Sequence, residues 1–208
     1  MGYHHLALAA RDMAAIHRFY EEVMGFELVK VEVAPVREGG WAKHFFYRMD
    51  GDDSRFIAFW ELHDVPGTAR LETNISRAAG VPDFVNHIAF AVSTADELER
   101  RKARWLAAGR DVLEIDHGWC HSIYTKDPND NLVEFCLTTG AFTAEDRAAA
   151  VAALTATTPA FSKPPSTRAF RSCSALSPPT RWSRPSRGPA GDRTRASTPP
   201  SPPSRWRT

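Results

Sequence analysis

Residues 117–136, HGWCHSIYTKDPNDNLVEFC, decide how the chain folds and where its most specific side chain lies. Within them, residues 127–131 (DPNDN) are turn formers that predict a hairpin loop between two strands. After the loop, Leu132, Glu134 and Cys136 alternate with apolar residues and therefore share one strand face. Glu134 is thus an acid inside an apolar strand. It needs a metal, a cation or water, because a carboxylate buried without a partner costs on the order of several kcal/mol.

Residues 3–63 predict a first βαβββ module. Asp12 is placed to cap its helix and Gly25 to end it. The first strand carries His5, and the last carries Glu61 near its end. The predicted elements are a strand over 3–10, a helix over 12–25, and strands over 26–33, 42–49 and 55–62.

A linker over residues 64–83 leads to a second module over residues 84–140, which repeats the first. The segment HLALA beginning at His5 matches HIAFA beginning at His87, and each module ends on a strand that bears an acid, Glu61 or Glu134. The predicted elements are a strand over 86–92, a helix over 94–108, and strands over 112–116, 121–126 and 132–137. This internal duplication predicts an α+β fold for residues 1–140.

The C-terminal part differs in composition. Residues 141–158 predict a helix that starts at Thr143, and residues 159–208 form a tail rich in Arg, Pro and Ser. The tail carries ten Lys or Arg against one acid, so its charge is +9, and residues 1–158 carry −8. This composition predicts disorder. From about residue 166 onward, it is also what GC-rich DNA encodes out of frame, which suggests an unselected extension.

Composition also limits the cell compartment and the partners. No apolar run is long enough to cross a bilayer, and the N-terminus lacks the pattern of a secretory signal. Three cysteines without a CxxC pair suit a reducing compartment, so we expect a cytoplasmic protein. The basic tail has no nucleic-acid motif, and neither specific nucleic-acid binding nor membrane binding is expected.

Four side chains at repeated positions suggest a metal site. Alone, a strand histidine is more often a hydrogen-bonded structural residue, and a strand glutamate is more often ion-paired. Each of the two modules, however, supplies one strand histidine and one strand glutamate. We therefore expect the four side chains to converge on one point, namely His5, Glu61, His87 and Glu134. Imidazole and carboxylate ligands suit iron(II), zinc, nickel or manganese, and two histidines with one carboxylate are typical of non-haem iron(II) oxygenases.

The chain resembles the vicinal oxygen chelate superfamily, which includes glyoxalase I, extradiol dioxygenases, fosfomycin-resistance transferases and bleomycin-binding proteins. The resemblance rests on HLALAARD with FYEEVMGFEL, on HIAFAV and on YTKDPNDNLVEF, and covers roughly residues 3–140. It implies a cupped, half-barrel-like mixed sheet, a small-molecule substrate, and metal ligation by His5, His87 and Glu134. Glu61 resembles the additional carboxylate of glyoxalases. Pairing of the modules within one chain or across a homodimer would bring the same residues together.

Two further residues indicate the type of reaction. Tyr124 lies ten residues before Glu134, across the hairpin, where extradiol dioxygenases have a tyrosine that hydrogen-bonds the bound catecholate. His117 lies in a loop where those enzymes have a His-Gly dipeptide, although the spacing to Tyr124 is two residues shorter here. A packing tyrosine and a solvated loop histidine are the structural alternatives. Asp130 occupies a hairpin position where the family commonly has Gly.

The sequence therefore favours a metal-dependent enzyme that cleaves a catechol-like ring with iron(II), with Tyr124 and His117 as catalytic residues. A glyoxalase-like lyase or isomerase, in which Glu61 joins the metal ligands, is the first alternative. A metal-silent, drug-binding protein is the second. Zinc, nickel or manganese could replace iron, and a homodimer is expected.

Overall fold

A computed structural model of the protein describes residues 3–172, which form two mixed sheets and four helices. Module one consists of β1 (His5–Ala10), α1 (Met13–Arg18), a π-helical turn (Phe19–Val23), β2 (Glu27–Pro35), β3 (Trp41–Met49) and β4 (Asp52–His63). The linker contains α2 (Ile75–Ala78). Module two consists of β5 (His87–Val92), α3 (Ala95–Ala107), β6 (Val112–Asp116), β7 (Cys120–Lys126) and β8 (Leu132–Thr138), and α4 (Ala144–Thr155) and β9 (Ser166–Phe170) follow.

The two modules have the same strand topology. Module one forms a sheet in the order β1-β4-β3-β2, and module two forms one in the order β5-β8-β7-β6, to which β9 is added. In each, the first strand pairs in parallel with the last, and the other pairs are antiparallel. The α+β fold with two βαβββ modules, predicted from the duplication, is confirmed.

The first helix changes its hydrogen-bonding pattern partway. Asp12 caps it, accepting a hydrogen bond from the Ala15 backbone N–H at 2.9 Å. From Phe19 the turn widens, and the Met24 N–H donates to the Phe19 carbonyl, a spacing of five residues. Phe19 and the adjacent Tyr20 are both fully buried. The wider turn thus directs two consecutive aromatic rings into the core.

The helix-covered faces of both sheets share one hydrophobic core. Phe26 of module one packs against Phe90 and Phe135 of module two, with ring centroids 5.1 and 6.4 Å apart. Trp105 of α3 stacks on Phe135 at 5.2 Å. The Arg104 guanidinium of α3 donates to the Glu22 carbonyl at 2.9 Å, so the helices are also joined.

The 127–131 loop is a hairpin, as predicted, and it ties the modules together. The Asp127 carboxylate accepts hydrogen bonds from the backbone N–H groups of Asn129 and Asn131 and from the Tyr20 hydroxyl at 3.1 Å. Asp130 adopts a left-handed backbone with φ 63°, a conformation that glycine adopts most readily and that Asp tolerates. Burial raises the pKa of Asp127 to about 6.

The C-terminal part differs from the sequence prediction at one point. Thr143 caps α4 in a capping box with Asp146, as the sequence suggests. Ser166–Phe170, predicted to belong to a disordered extension, instead form β9, which pairs antiparallel with β6. The reason is that β6 would otherwise be an unpaired edge, and Phe170 packs on the core below Lys102. The predicted disorder of residues 173–208 concerns residues outside the described part.

None of the helices within residues 3–172 is long and apolar enough to span a membrane.

We expect β9 to stabilise module two. A chain ending at residue 162 loses the strand paired with β6 and the packing of Phe170. Its free energy of unfolding should fall by roughly 1–3 kcal/mol, which corresponds to several degrees in Tm for a chain of this size. A matched truncation after residue 172 keeps β9 and should unfold like the full chain in thermal denaturation. Equal Tm values for the two truncations would contradict this role.

Asp127 should make stability depend on pH in a defined direction. Because its pKa is raised in the folded state, the unfolded chain ionises first, and stability falls as pH rises from about 4 to about 6. The loss should approach roughly 3 kcal/mol and then level off. Asp127→Asn should remove this slope in urea titrations, whereas Asp130→Asn in the same loop should retain it. An identical pH dependence in the wild type and in Asp127→Asn over this interval would refute the assignment.

Candidate metal centre

His87 and Glu134 lie side by side on the face of the second sheet that the helices leave open. The strand register places Ala89 opposite Glu134 and His87 opposite Leu132, so the two side chains point to the same face. The His87 Nε2 and Glu134 Oε2 atoms are 3.2 Å apart. Glu134 is only 4 % exposed, whereas His87 is accessible. An imidazole and a carboxylate thus meet at the edge of the protein interior.

The orientation of His87 indicates what lies between the two groups. Its Nδ1 atom is 3.2 Å from the Phe84 carbonyl oxygen, which can only accept a hydrogen bond. In the neutral ring, Nδ1 therefore carries the proton and Nε2 presents a lone pair toward the Glu134 carboxylate. Two lone pairs at this distance repel unless a proton or a cation lies between them. A carbonyl that fixes the second ring nitrogen is also the usual arrangement around a metal-binding histidine.

Tyr124 and His117 adjoin this pair. Tyr124 is directly opposite Glu134 on the neighbouring strand, and its hydroxyl is 3.1 Å from the His117 Nε2 atom. Burial and the nearby Glu134 carboxylate raise the pKa of Tyr124, so the phenol remains protonated and can donate a hydrogen bond. The four residues His87, Glu134, Tyr124 and His117 therefore form one cluster in module two.

A cavity of about 550 Å³ opens beside Tyr124. Besides Tyr124 it is lined by Leu113, Leu132 and Lys126, by residues 109–112 and by the end of β9, and His87 and Glu134 do not line it. This volume is in the range of small-molecule sites in proteins.

His5 belongs to the open face of the first sheet. It pairs with Phe56 of β4. Every second residue of a strand lies on the same face, so the pairs Ala7–Ala58 and Ala9–Trp60 share the face of His5. Its ring is 5.6 Å from that of Phe46 and 6.1 Å from that of His44, between centroids.

Glu61 points to the other face. Glu61 pairs with Ala10 of β1 and lies an odd number of residues after Phe56 in β4. Its side chain therefore points to the face opposite to that of Phe56 and His5. Its carboxylate is held by Lys43 at 2.9 Å and His63 at 3.1 Å. Although burial opposes ionisation, these hydrogen bonds lower the pKa of Glu61. Glu61 is thus an ion-paired residue away from the face of His5.

The residue that corresponds to Glu134 in module one is Ala58. Ala89 pairs with Glu134 in the second module, and the matching residue Ala7 pairs with Ala58 in the first. The sequence repeat predicted Glu61 at this position, because the last strand of each module carries an acid. In the structure the equivalent position lies three residues earlier in β4, at Ala58.

Comparison with known proteins agrees with this fold. The family model of the Glyoxalase/Bleomycin resistance protein/Dioxygenase superfamily matches residues 2–135. The chain belongs to this superfamily. No curated protein matched the sequence.

Two solved structures reach a TM-score of 0.50 with this chain, which indicates a shared fold. A glyoxylase/bleomycin resistance protein/dioxygenase domain from Frankia sp. EAN1pec is 18 % identical, with 66 % of this chain and 98 % of that chain covered and a TM-score of 0.50. The structure of SMU.1112c is 23 % identical, covering 65 % and 98 %, also with a TM-score of 0.50. Lactoylglutathione lyase from Agrobacterium tumefaciens is 23 % identical, covering 65 % and 92 %, with a TM-score of 0.43.

The sequence-predicted residues are brought together in part. Within residues 3–172, no three His, Cys, Asp or Glu side chains already lie close enough to hold a metal ion. His87 and Glu134 are adjacent, with Tyr124 and His117 beside them, whereas His5 belongs to the other module. Two other histidines lie beside carboxylates, His63 at 3.1 Å from Glu61 and His121 at 3.3 Å from Glu114.

Sequence reasoning overlooked His44. It is buried on the same face as His5 and stacks on Trp60 at 3.8 Å, and its Nε2 atom has no hydrogen-bond partner in the described part of the chain. Only the pairing of β3 with β4 reveals this position, because the alternation within β3 alone does not say which face is open.

Proposed function

We propose that the protein is a metal-dependent enzyme of the extradiol type, which cleaves the aromatic ring of a catechol-like small molecule with dioxygen. The observation that carries this proposal is the cluster in module two, where the His87–Glu134 pair adjoins a protonated Tyr124 linked to His117. A ligand pair beside a phenol and an imidazole suits a substrate that must lose protons as it binds.

The donor set favours iron(II). With Ala58 at the position matching Glu134, the repeated positions supply two imidazoles and one carboxylate, from His5, His87 and Glu134. This set with open positions is typical of non-haem iron(II) oxygenases, and zinc, nickel or manganese are the other metals it suits. A bound iron(II) would supply Lewis acidity and redox chemistry.

His5 must meet the pair from the other module. Because the helix-covered faces of the two sheets share one core, the open faces that carry His5 and His87 point away from each other within one chain. The proposal therefore requires a homodimer, in which module one of one copy faces module two of the other.

The remaining residues would position the catechol and move its protons. The Tyr124 hydroxyl can donate a hydrogen bond to one catechol oxygen, because burial keeps the phenol protonated. His117 Nε2, next to that hydroxyl, is the group placed to accept a proton from the substrate. The cavity beside Tyr124 would hold the ring against Leu113 and Leu132.

The two alternatives are less well supported. A glyoxalase-like reaction through Glu61 would require that carboxylate to leave Lys43 and His63 and to reach the opposite face of its sheet. A metal-silent binding protein could pair Glu134 with a protonated His87, but it gives no role to the Tyr124–His117 pair beside them.

We expect turnover of catechols by iron-loaded protein. After anaerobic reconstitution with iron(II), addition of air and a panel of catechols should give a yellow ring-fission product and consume one molecule of oxygen per ring. Parallel samples with nickel or zinc should turn over the hemithioacetal of methylglyoxal and glutathione only if the glyoxalase alternative holds. Stoichiometric iron without activity on any catechol, or no stoichiometric metal, would contradict the proposal.

The metal ligands can be separated from Glu61 by isosteric variants. Glu134→Gln removes a ligand charge beside His87 and should weaken iron(II) or manganese(II) binding by at least tenfold in calorimetric titrations. Glu61→Gln, an identical change on the opposite face, should leave the affinity unaltered. The reverse ranking of the two variants would favour the glyoxalase-type donor set.

Tyr124→Phe should separate catalysis from metal binding. Loss of the hydroxyl removes the hydrogen bond to the substrate and the contact with His117, so kcat for the catechol should fall by roughly 10–100-fold. Metal content should not change. Tyr3→Phe, which removes the hydroxyl of an exposed tyrosine, serves as the matched control. Unchanged kcat in Tyr124→Phe would mean that the tyrosine only packs.

A further inference from the structure

A cavity of about 460 Å³ lies at one end of the first sheet, and the proposed reaction does not use it. Its walls are Ala10 and Arg11 at the end of β1, Leu62 near the end of β4, and residues 68–72 of the linker. Since β1 begins at His5, this cavity lies roughly 17 Å along the strand from that proposed metal ligand. A cavity of this volume can hold a small organic molecule.

Two arginines, Arg11 and Arg70, line this cavity. Neither of them forms an ion pair with a carboxylate of residues 3–172. A guanidinium group is always charged and offers only hydrogen-bond donors. The two side chains therefore bring unpaired positive charge to the same concave surface.

The acidic residues nearest to these arginines in the sequence and in the sheet are engaged elsewhere. Asp12 caps α1, and Glu61 is held by the lysine and histidine described above. Glu72, which also lines the cavity, accepts a hydrogen bond from the Asn74 backbone N–H at 2.8 Å. The cavity wall thus carries two positive charges against the single negative charge of Glu72.

Arg11 is held in place by contacts with two other segments. Its Nη2 atom is 3.4 Å from the hydroxyl oxygen of Thr73, a linker residue that is only 4 % exposed. The end of β1 is tied to the 127–131 hairpin, because the Asn129 side-chain amide donates to the Ala9 carbonyl at 2.9 Å. A guanidinium that is already positioned loses less conformational entropy when it binds a ligand.

We propose that this cavity binds a small organic anion, whose carboxylate or phosphate group is held between the guanidinium groups of Arg11 and Arg70. A planar guanidinium can form two parallel hydrogen bonds with either oxyanion. Leu62 and Leu71, the latter 37 % exposed, provide apolar contacts for the rest of the ligand. This site does not depend on the proposed enzyme activity.

NMR titrations of the full chain with inorganic phosphate and with succinate test the site. At least one of the two anions should cause saturable shifts at residues 10–11 and 68–72, and the tighter one identifies the preferred group. Arg11→Gln and Arg70→Gln each remove one guanidinium and should raise the dissociation constant roughly tenfold. Glu72→Gln keeps an acceptor for the Asn74 N–H but loses the negative charge, so it should lower the dissociation constant.

The matched control is Arg147→Gln on α4, which removes the same charge from an exposed position outside the cavity. Its dissociation constant should equal that of the wild type. An unchanged Tm verifies that each variant folds, and Arg70→Gln, in an exposed loop, decides the test if Arg11→Gln is destabilised. The proposal is overturned if neither anion gives saturable shifts, if the shifts lie elsewhere, or if Arg147→Gln weakens binding as much as Arg70→Gln.

Discussion

The rest of the candidate site depends on how the buried charge of Glu134 is compensated. Its carboxylate lies within an apolar strand and is almost inaccessible to water, where an unpaired charge would cost on the order of several kcal/mol. His87 and Tyr124 lie beside it, and the Phe84 carbonyl turns the lone pair of the His87 ring toward the carboxylate. A cation between the two would resolve this repulsion, and that is the basis of the proposed metal centre.

The duplication that organises the fold was readable from the sequence, because it depends on local patterns. The HLALA and HIAFA segments, the helix caps and the DPNDN hairpin each specify a strand, a helix start or a turn without reference to distant residues. Alternation also placed Tyr124 and Glu134 correctly as partners across a short hairpin, whose loop length fixes the register.

What the sequence could not predict is the register between distant strands. β1 and β4 are about 50 residues apart, and nothing local says that Ala58, rather than Glu61, lies beside Ala7. A change of register by an odd number of residues moves a side chain to the other face of the sheet. Glu61, predicted as a metal ligand, therefore lies on the opposite face and pairs with Lys43. The burial of His44 against Trp60 depends on the same long-range pairing. β9 was missed because Ser166–Phe170 carry the polar composition of the tail, and their strand forms only because β6 offers an edge.

The account therefore turns on three ligands that come from two modules. Anomalous diffraction from crystals grown with iron(II) or manganese(II) under anaerobic conditions tests it most directly. We predict one strong peak per chain within ligand distance of His87 and Glu134 of one copy and His5 of a second copy, and none at Glu61. A peak at the Glu61 and His63 carboxylate–imidazole pair, or none at His87 and Glu134, would contradict it.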